Sequence, residues 1–202
     1  SLINKECSIV TNIDRLAEKG MLFTKAFSAS SWTPPAFKSI MASQYPFFNN
    51  GYLNVRNSVT LPMIMKWLGY KTAAFHSNPW LTGIFGYAKG FDYFCDFISR
   101  KKGIFRKLSS AFKLIQLPYV NAEVLTDCVL NWIDKNYDSK FFVWVHFMDA
   151  HEPHIPAINR FLPQNIVKLW KIRTTNTKAK EGKISNDELY RLKEWYLSLI
   201  HI

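Results

Sequence analysis

Apolar and polar positions along this chain recur with helical and strand periods that predict an α/β fold. In "TNIDRLAEKGMLFTKAFSAS", Ile13, Leu16 and Ala17 share one helical face behind the cap-like Thr11 and Asn12, and Gly20 ends the helix. Met21 to Phe27 then reads as a strand. "SASSWTPPAFKSIMAS" opens another helix at its double proline, and "PFFNNGYLNVRNS" after it is turn-rich. "TLPMIMKWLGY" is a short helix with Pro62 in its first turn and Gly69 at its end. "KTAAFHSN" follows as a short buried strand ending at Asn78. Val124, Leu125, Cys128, Val129, Trp132 and Ile133 fall at helical spacing. "FFVWVHFM" (Phe141 to Met148) is a continuous apolar run, the pattern of a central strand covered on both faces. Beyond Pro156 the chain turns polar and basic and closes in a helical pattern, "NDELYRLKEWYLSLI". Helices and strands in this order suit a layer architecture, with a sheet flanked by helices.

Composition narrows the partners. A chain of 202 residues that is 48% hydrophobic can bury a sizeable core, which excludes disorder. Its formal charge of +11 favours an anionic partner: a sulfate or phosphate ester, nucleic acid, or an acidic lipid surface. Nucleic-acid binding rests on charge alone, with no ordered basic and aromatic signature, so no specific nucleic-acid partner is expected. Ser99 to Pro118 interleaves Arg100, Lys101, Lys102, Arg106, Lys107 and Lys113 with apolar residues, as in a solvated surface helix or one that contacts a membrane surface. Cys7, Cys95 and Cys128 are an odd, scattered set, expected to stay reduced, which favours the cytoplasm. No apolar run reaches the ~18 residues of a membrane span, and the first residues do not read as a signal peptide. The sequence names no oligomeric state.

Three segments carry candidate chemistry. Thr33 precedes Pro34 and Pro35 at a helix start, where a hydroxyl either caps the helix or acts as a nucleophile beside an anion site. Nucleophilic use needs a base or a metal, because the hydroxyl hardly ionises near neutral pH. "HFMDAHEPH" holds His146 within the strand run, where a core histidine is expected, and His151 in the loop beyond, where it can contact an anionic substrate or protonate a leaving group. His76 and Asn78 sit at another strand end and reach the same crevice, unless Asn78 only shapes the turn before Pro79.

Taken together and in order, "TNIDRLAEKGMLFTKAFSASSWTPPAFKSIMASQYP", "LGYKTAAFHSNPWLTGIFGYAKGFDYF" and "KFFVWVHFMDAHEPH" resemble the sulfatases of the alkaline phosphatase superfamily, over residues 11 to about 156. The resemblance implies an alkaline-phosphatase-like layered sheet, a divalent cation, and an anionic ester substrate. It puts Thr33 at the nucleophile position of the motif C/S-x-P-x-R, where it would also be a metal ligand, with Pro35 at the motif's proline. Ala36 and Phe37 replace the small polar residue and the arginine. His151 matches the substrate-contacting histidine, and "HSNPWL" stands where many members have G-K-W-H-L, leaving His76 and Asn78 as substitutes on the substrate side. Calcium is implied for sulfate chemistry and zinc for the threonine-using phosphodiesterases and phosphoethanolamine transferases of the superfamily. A non-catalytic relative that binds anions or membrane surfaces is the further alternative. The aspartate pair before the first helix and the late Asp-His block are not found. Residues 1–202 are therefore expected to be an incomplete catalytic domain that is inactive alone, with "LSLIHI" resembling adapter sequence.

Overall fold

A computed structural model describes residues 12–47, 51–97, 120–151, 171 and 174–192. Helix α1 (Asn12–Lys19) is followed by α2 (Thr33–Ala42), α3 (Leu61–Trp67) and strand β1 (Lys71–His76). Two 3-10 turns, Pro79–Leu81 and Gly83–Phe85, lead to β2 (Tyr93–Asp96), and α4 (Ala122–Asp134) leads to β3 (Phe141–His146). Residues 174–180 and 186–192 are helical as well. The second begins at a capping box, in which Ser185 Oγ accepts from the Glu188 N–H and Glu188 accepts from the Ser185 N–H.

The three strands are parallel in the order β2-β1-β3. The sheet centre is therefore β1; β3 is covered on both faces, as expected for "FFVWVHFM", but lies at the edge among the described residues. Ala73 and Ala74 let layers close on both faces of β1, which is buried from Thr72 to His76, whereas the bulky β3 residues are mostly half-buried. One face carries Ala74 and Trp144 under Met41 of α2, with Val55, Leu81 and Tyr87. The other buries Ala73, Phe75 and Cys95 against Leu125 and Val129 of α4.

Helix α3 starts and stops as its sequence predicts, with Pro62 buried in its first turn and Gly69 left-handed at φ 83. Met21 to Phe27 is not a strand. It has exposed side chains and no ladder partner among the described residues, and α1 buries none of its residues. A strand pattern becomes a strand only when a neighbour supplies backbone partners. The basic segment 99–118, with its expected membrane contact, lies outside the described residues, as do Cys7 and Thr11. No described helix is long and apolar enough to cross a membrane.

The amino end of β1 is fastened by "GFD". Gly90 turns at φ 92 so close to α3 that a Cβ would meet the Met63 backbone nitrogen at 2.5 Å. Phe91 packs on Phe142 and Trp144. Asp92 Oδ2 accepts from the Thr72 N–H at 3.0 Å, the Asp92 N–H donates to Thr72 Oγ1 at 2.9 Å, and Thr72 Oγ1 donates to the Gly90 carbonyl at 2.8 Å. Lys66 bonds the same carboxylate and holds it below the ordinary carboxylate range, ahead of the opposing effect of burial. This motif is architecture at the end of the sheet away from the candidate chemistry.

Candidate functional site at the carboxyl ends of the strands

Thr33 is the first residue of α2, and the extended residue at the N-cap is Trp32, so Thr33 does not cap the helix. Its hydroxyl makes no hydrogen bond to a described residue. The turn behind it is poor in donors: Pro34 and Pro35 have no N–H, and the Ala36 N–H is bonded to the Trp32 carbonyl at 3.3 Å. The free amides expected to make an anion site at this helix start are thus absent, and the helix dipole remains. Buried Tyr87 donates its hydroxyl to the Pro34 carbonyl at 3.4 Å, which fixes the start of α2, and burial pushes that phenol's pKa up.

Four residues after Thr33, on the same helix face, stands Phe37. Its ring lies 4.9 Å from that of His146 and 5.6 Å from that of Trp144. An apolar ring therefore covers the strand ends where the resemblance has an arginine. Lys38 points elsewhere, as expected of the next helix position. Fully buried, its ammonium donates to the carbonyls of Pro46 (3.4 Å) and Gly51 (2.5 Å), and burial lowers its pKa.

Register aligns Asp96, His76 and His146 side by side across the three strands. His76 is fully buried, stacked on Trp144 at 5.3 Å and 15°, with Phe94 edge-on at 5.0 Å. Neither ring nitrogen makes a well-aligned hydrogen bond, although the Asn78 backbone lies close by. Burial pushes His76 down to about 4, against the pull of the Asp96 charge and the Asn78 backbone. His146 is also pushed down to about 4, first by burial and then by the charges of His76 and His151. Both rings are neutral near pH 7.

Asn78 is buried and committed. Its Oδ1 accepts from the Trp80 N–H at 2.9 Å, and its Nδ2 lies 3.4 Å from both His146 Nε2 and Met148 Sδ. It shapes the turn before Pro79 and ties the end of β1 to the end of β3. His151 is exposed in the turn beyond β3, its N–H bonded to the Met148 carbonyl at 3.0 Å. Asp149 accepts the Ala122 N–H at 3.0 Å, which anchors the start of α4.

The structure thus brings His76, Asn78 and His146 together at the ends of β1 and β3, with α2 over them and His151 near His146. Sequence reading missed Asp96, Phe37 as a cover, and Tyr87. The alignment of Asp96 with His76 depends on register, whereas the donor-poor helix start was readable in the double proline itself. Among the described residues no group of three or more His, Cys, Asp or Glu side chains converges to hold a metal ion.

Comparison with known proteins supplies the family. A family model described as Sulfatase matches residues 1–177. No curated protein and no solved structure matches the chain significantly. The sheet, its flanking helices and this match agree: the chain belongs to the sulfatase family of the alkaline phosphatase superfamily and is a sulfatase-like hydrolase in its general class.

Proposed function

We propose that Thr33 is the nucleophile, and His151 the leaving-group acid, of an enzyme that cleaves sulfate esters. The observation that carries this reading is the Thr33 hydroxyl, which makes no hydrogen bond to a described residue, on the helix that covers the carboxyl ends of β1 and β3. Thr33 Oγ1 forms a bond to sulfur as the bond from sulfur to the alcohol oxygen breaks, and His151 gives that oxygen its proton. Water then releases sulfate from Thr33. His76 and Asn78 shape the floor of the crevice, and Asn78 holds His146 in place.

Sulfatases generally use a divalent metal, and the described acids do not fit one. Asp92 belongs to the clamp at the far end of the sheet and Asp149 anchors α4, and among the described residues no third ligand joins Asp96 and His76 at the strand ends. The Thr33 proton passes to solvent water as the bond to sulfur forms. Calcium is the cation proposed for sulfate chemistry.

A threonine at the nucleophile position, with Phe37 in place of arginine, favours phosphoester cleavage as the second reading, with zinc as its cation. The test is turnover of 4-nitrophenyl sulfate and of bis(4-nitrophenyl) phosphate by the gene-encoded protein, supplied with calcium or zinc. Thr33→Ala abolishes whichever activity is present, and the better ester decides between the readings. Turnover that survives Thr33→Ala on both esters rejects both. A protein that binds no cation and turns over neither ester is the non-catalytic relative.

A further inference from the structure

Three half-exposed rings gather around Trp32, the residue before Thr33, at the margin of the core, which Trp80 meets through Phe85. The Tyr52 ring lies 5.4 Å from the Trp32 ring at 59°, and the Trp80 ring, in the turn after Asn78, lies 6.2 Å from the Trp32 ring at 79°. Their exposures are 46%, 36% and 45%, values large enough to leave ring faces open to a ligand. The packed cluster beneath α2 is built from other rings, those of Phe37, Phe85, Tyr87, Phe91, Phe94, Phe142 and Trp144. No two of the three stack face to face, and the exposed part of each ring is open to a ligand.

Resting on the reading of Thr33 as nucleophile, we propose that Trp32, Tyr52 and Trp80 form a stacking shelf that determines specificity by binding a flat apolar face on the alcohol portion of the ester. The argument has two parts. First, the shelf is continuous with Thr33 through Trp32, so an ester whose sulfur faces the hydroxyl extends its alcohol over these rings. Second, the anion side of this site is weak: Phe37 occupies the arginine position, two prolines remove amide donors, and Lys38 is buried and committed to carbonyls. Selectivity then falls to the alcohol portion. Rigid aromatic side chains are suited to this, because they offer much contact area and lose little freedom on binding. An aromatic ring and the apolar face of a hexose share the required chemistry.

The test is calorimetric titration of the whole chain with 4-nitrophenyl sulfate, glucose 6-sulfate and methyl sulfate at one ionic strength. At least one flat-faced ester binds about tenfold more tightly than methyl sulfate, and which one does so identifies the ring as aromatic or sugar. Trp32→Ala and Trp80→Ala each erase that preference with circular dichroism unchanged, and Trp32→Phe retains it. Equal binding of all three esters by the parent chain, or a preference that survives both alanine variants, overturns the shelf. Thr33→Ala separates the two ideas. A preference kept in Thr33→Ala alongside surviving turnover removes the nucleophile and leaves the shelf, while lost turnover with no preference in the parent does the reverse.

Discussion

The two ends of the sheet are built to opposite rules. At the amino end of β1, Thr72, Gly90 and Asp92 exchange hydrogen bonds until each polar group has a partner, and Lys66 completes the carboxylate. Beyond the carboxyl ends lie the buried polar atoms of the described residues that make no well-aligned hydrogen bond: both nitrogens of His76, and the oxygens Ser77 Oγ, Thr82 Oγ1 and Asp149 Oδ2. Unpartnered buried polar atoms cost stability, so a fold under selection for stability alone would fill or replace them. The difference teaches that the amino end is held for architecture, and that the carboxyl end accepts a local penalty where the candidate chemistry lies.

The largest effect expected from breaking the contrast is at Gly90. Gly90→Ala forces a Cβ onto the Met63 backbone in a left-handed conformation and destabilises the fold by about 3 kcal/mol, measured by urea denaturation.

Acid separates the two ends next. His76 and His146 titrate at about 4 in the folded chain against an ordinary 6.5, so the unfolded state binds more protons between those values. Stability conferred by the neutral rings is full above pH 6.5 and is lost as pH falls toward 4. Asp92, depressed below its ordinary 3.8, contributes stability that is present above that value and is lost only as pH falls further, through its folded pKa. Denaturation midpoints measured from pH 7 to 3 therefore fall first through the histidines. Replacing His76 by Phe flattens the upper part of that fall, and an unchanged slope would deny His76 its share.

Thr72→Val removes a hydroxyl that bonds on both sides and costs about 1–2 kcal/mol. The smallest effect, of opposite sign, comes from His76→Phe at pH 7. It exchanges a buried imidazole that makes no well-aligned hydrogen bond for an apolar ring and leaves stability unchanged or raised by up to about 1 kcal/mol. A large loss there would mean that the strand-end row is structural after all.

Local pattern made the helices α3 and α4 and the strands β1 and β3 legible, because each carries its own period and its own stops: Pro62 and Gly69 for α3, and the polar break after Met148 for β3. The sequence could not rank the strands. Apolar length suggested that β3 was central, whereas among the described residues it is β1 that pairs on both sides. Met21 to Phe27 failed as a strand because pairing is a property of two segments and one alone cannot reveal it.

At the site, Thr33, His76, Asn78 and His151 were legible as polar residues at breaks in apolar runs, a rule that holds for open α/β sheets. The cross-strand row with Asp96 depends on register, which no single segment encodes. Asn78 shows the limit of residue type: the same amide that suits an anion is used here for the turn at Trp80 and the tie to His146.

The most direct measurement is peptide mass analysis of the gene-encoded protein after acid quench during turnover of 4-nitrophenyl sulfate with calcium present. The peptide containing Thr33 gains the mass of one sulfuryl group, and Thr33→Ala loses both the adduct and the turnover. Steady turnover with Thr33 unmodified, or an adduct on another residue, would contradict the account.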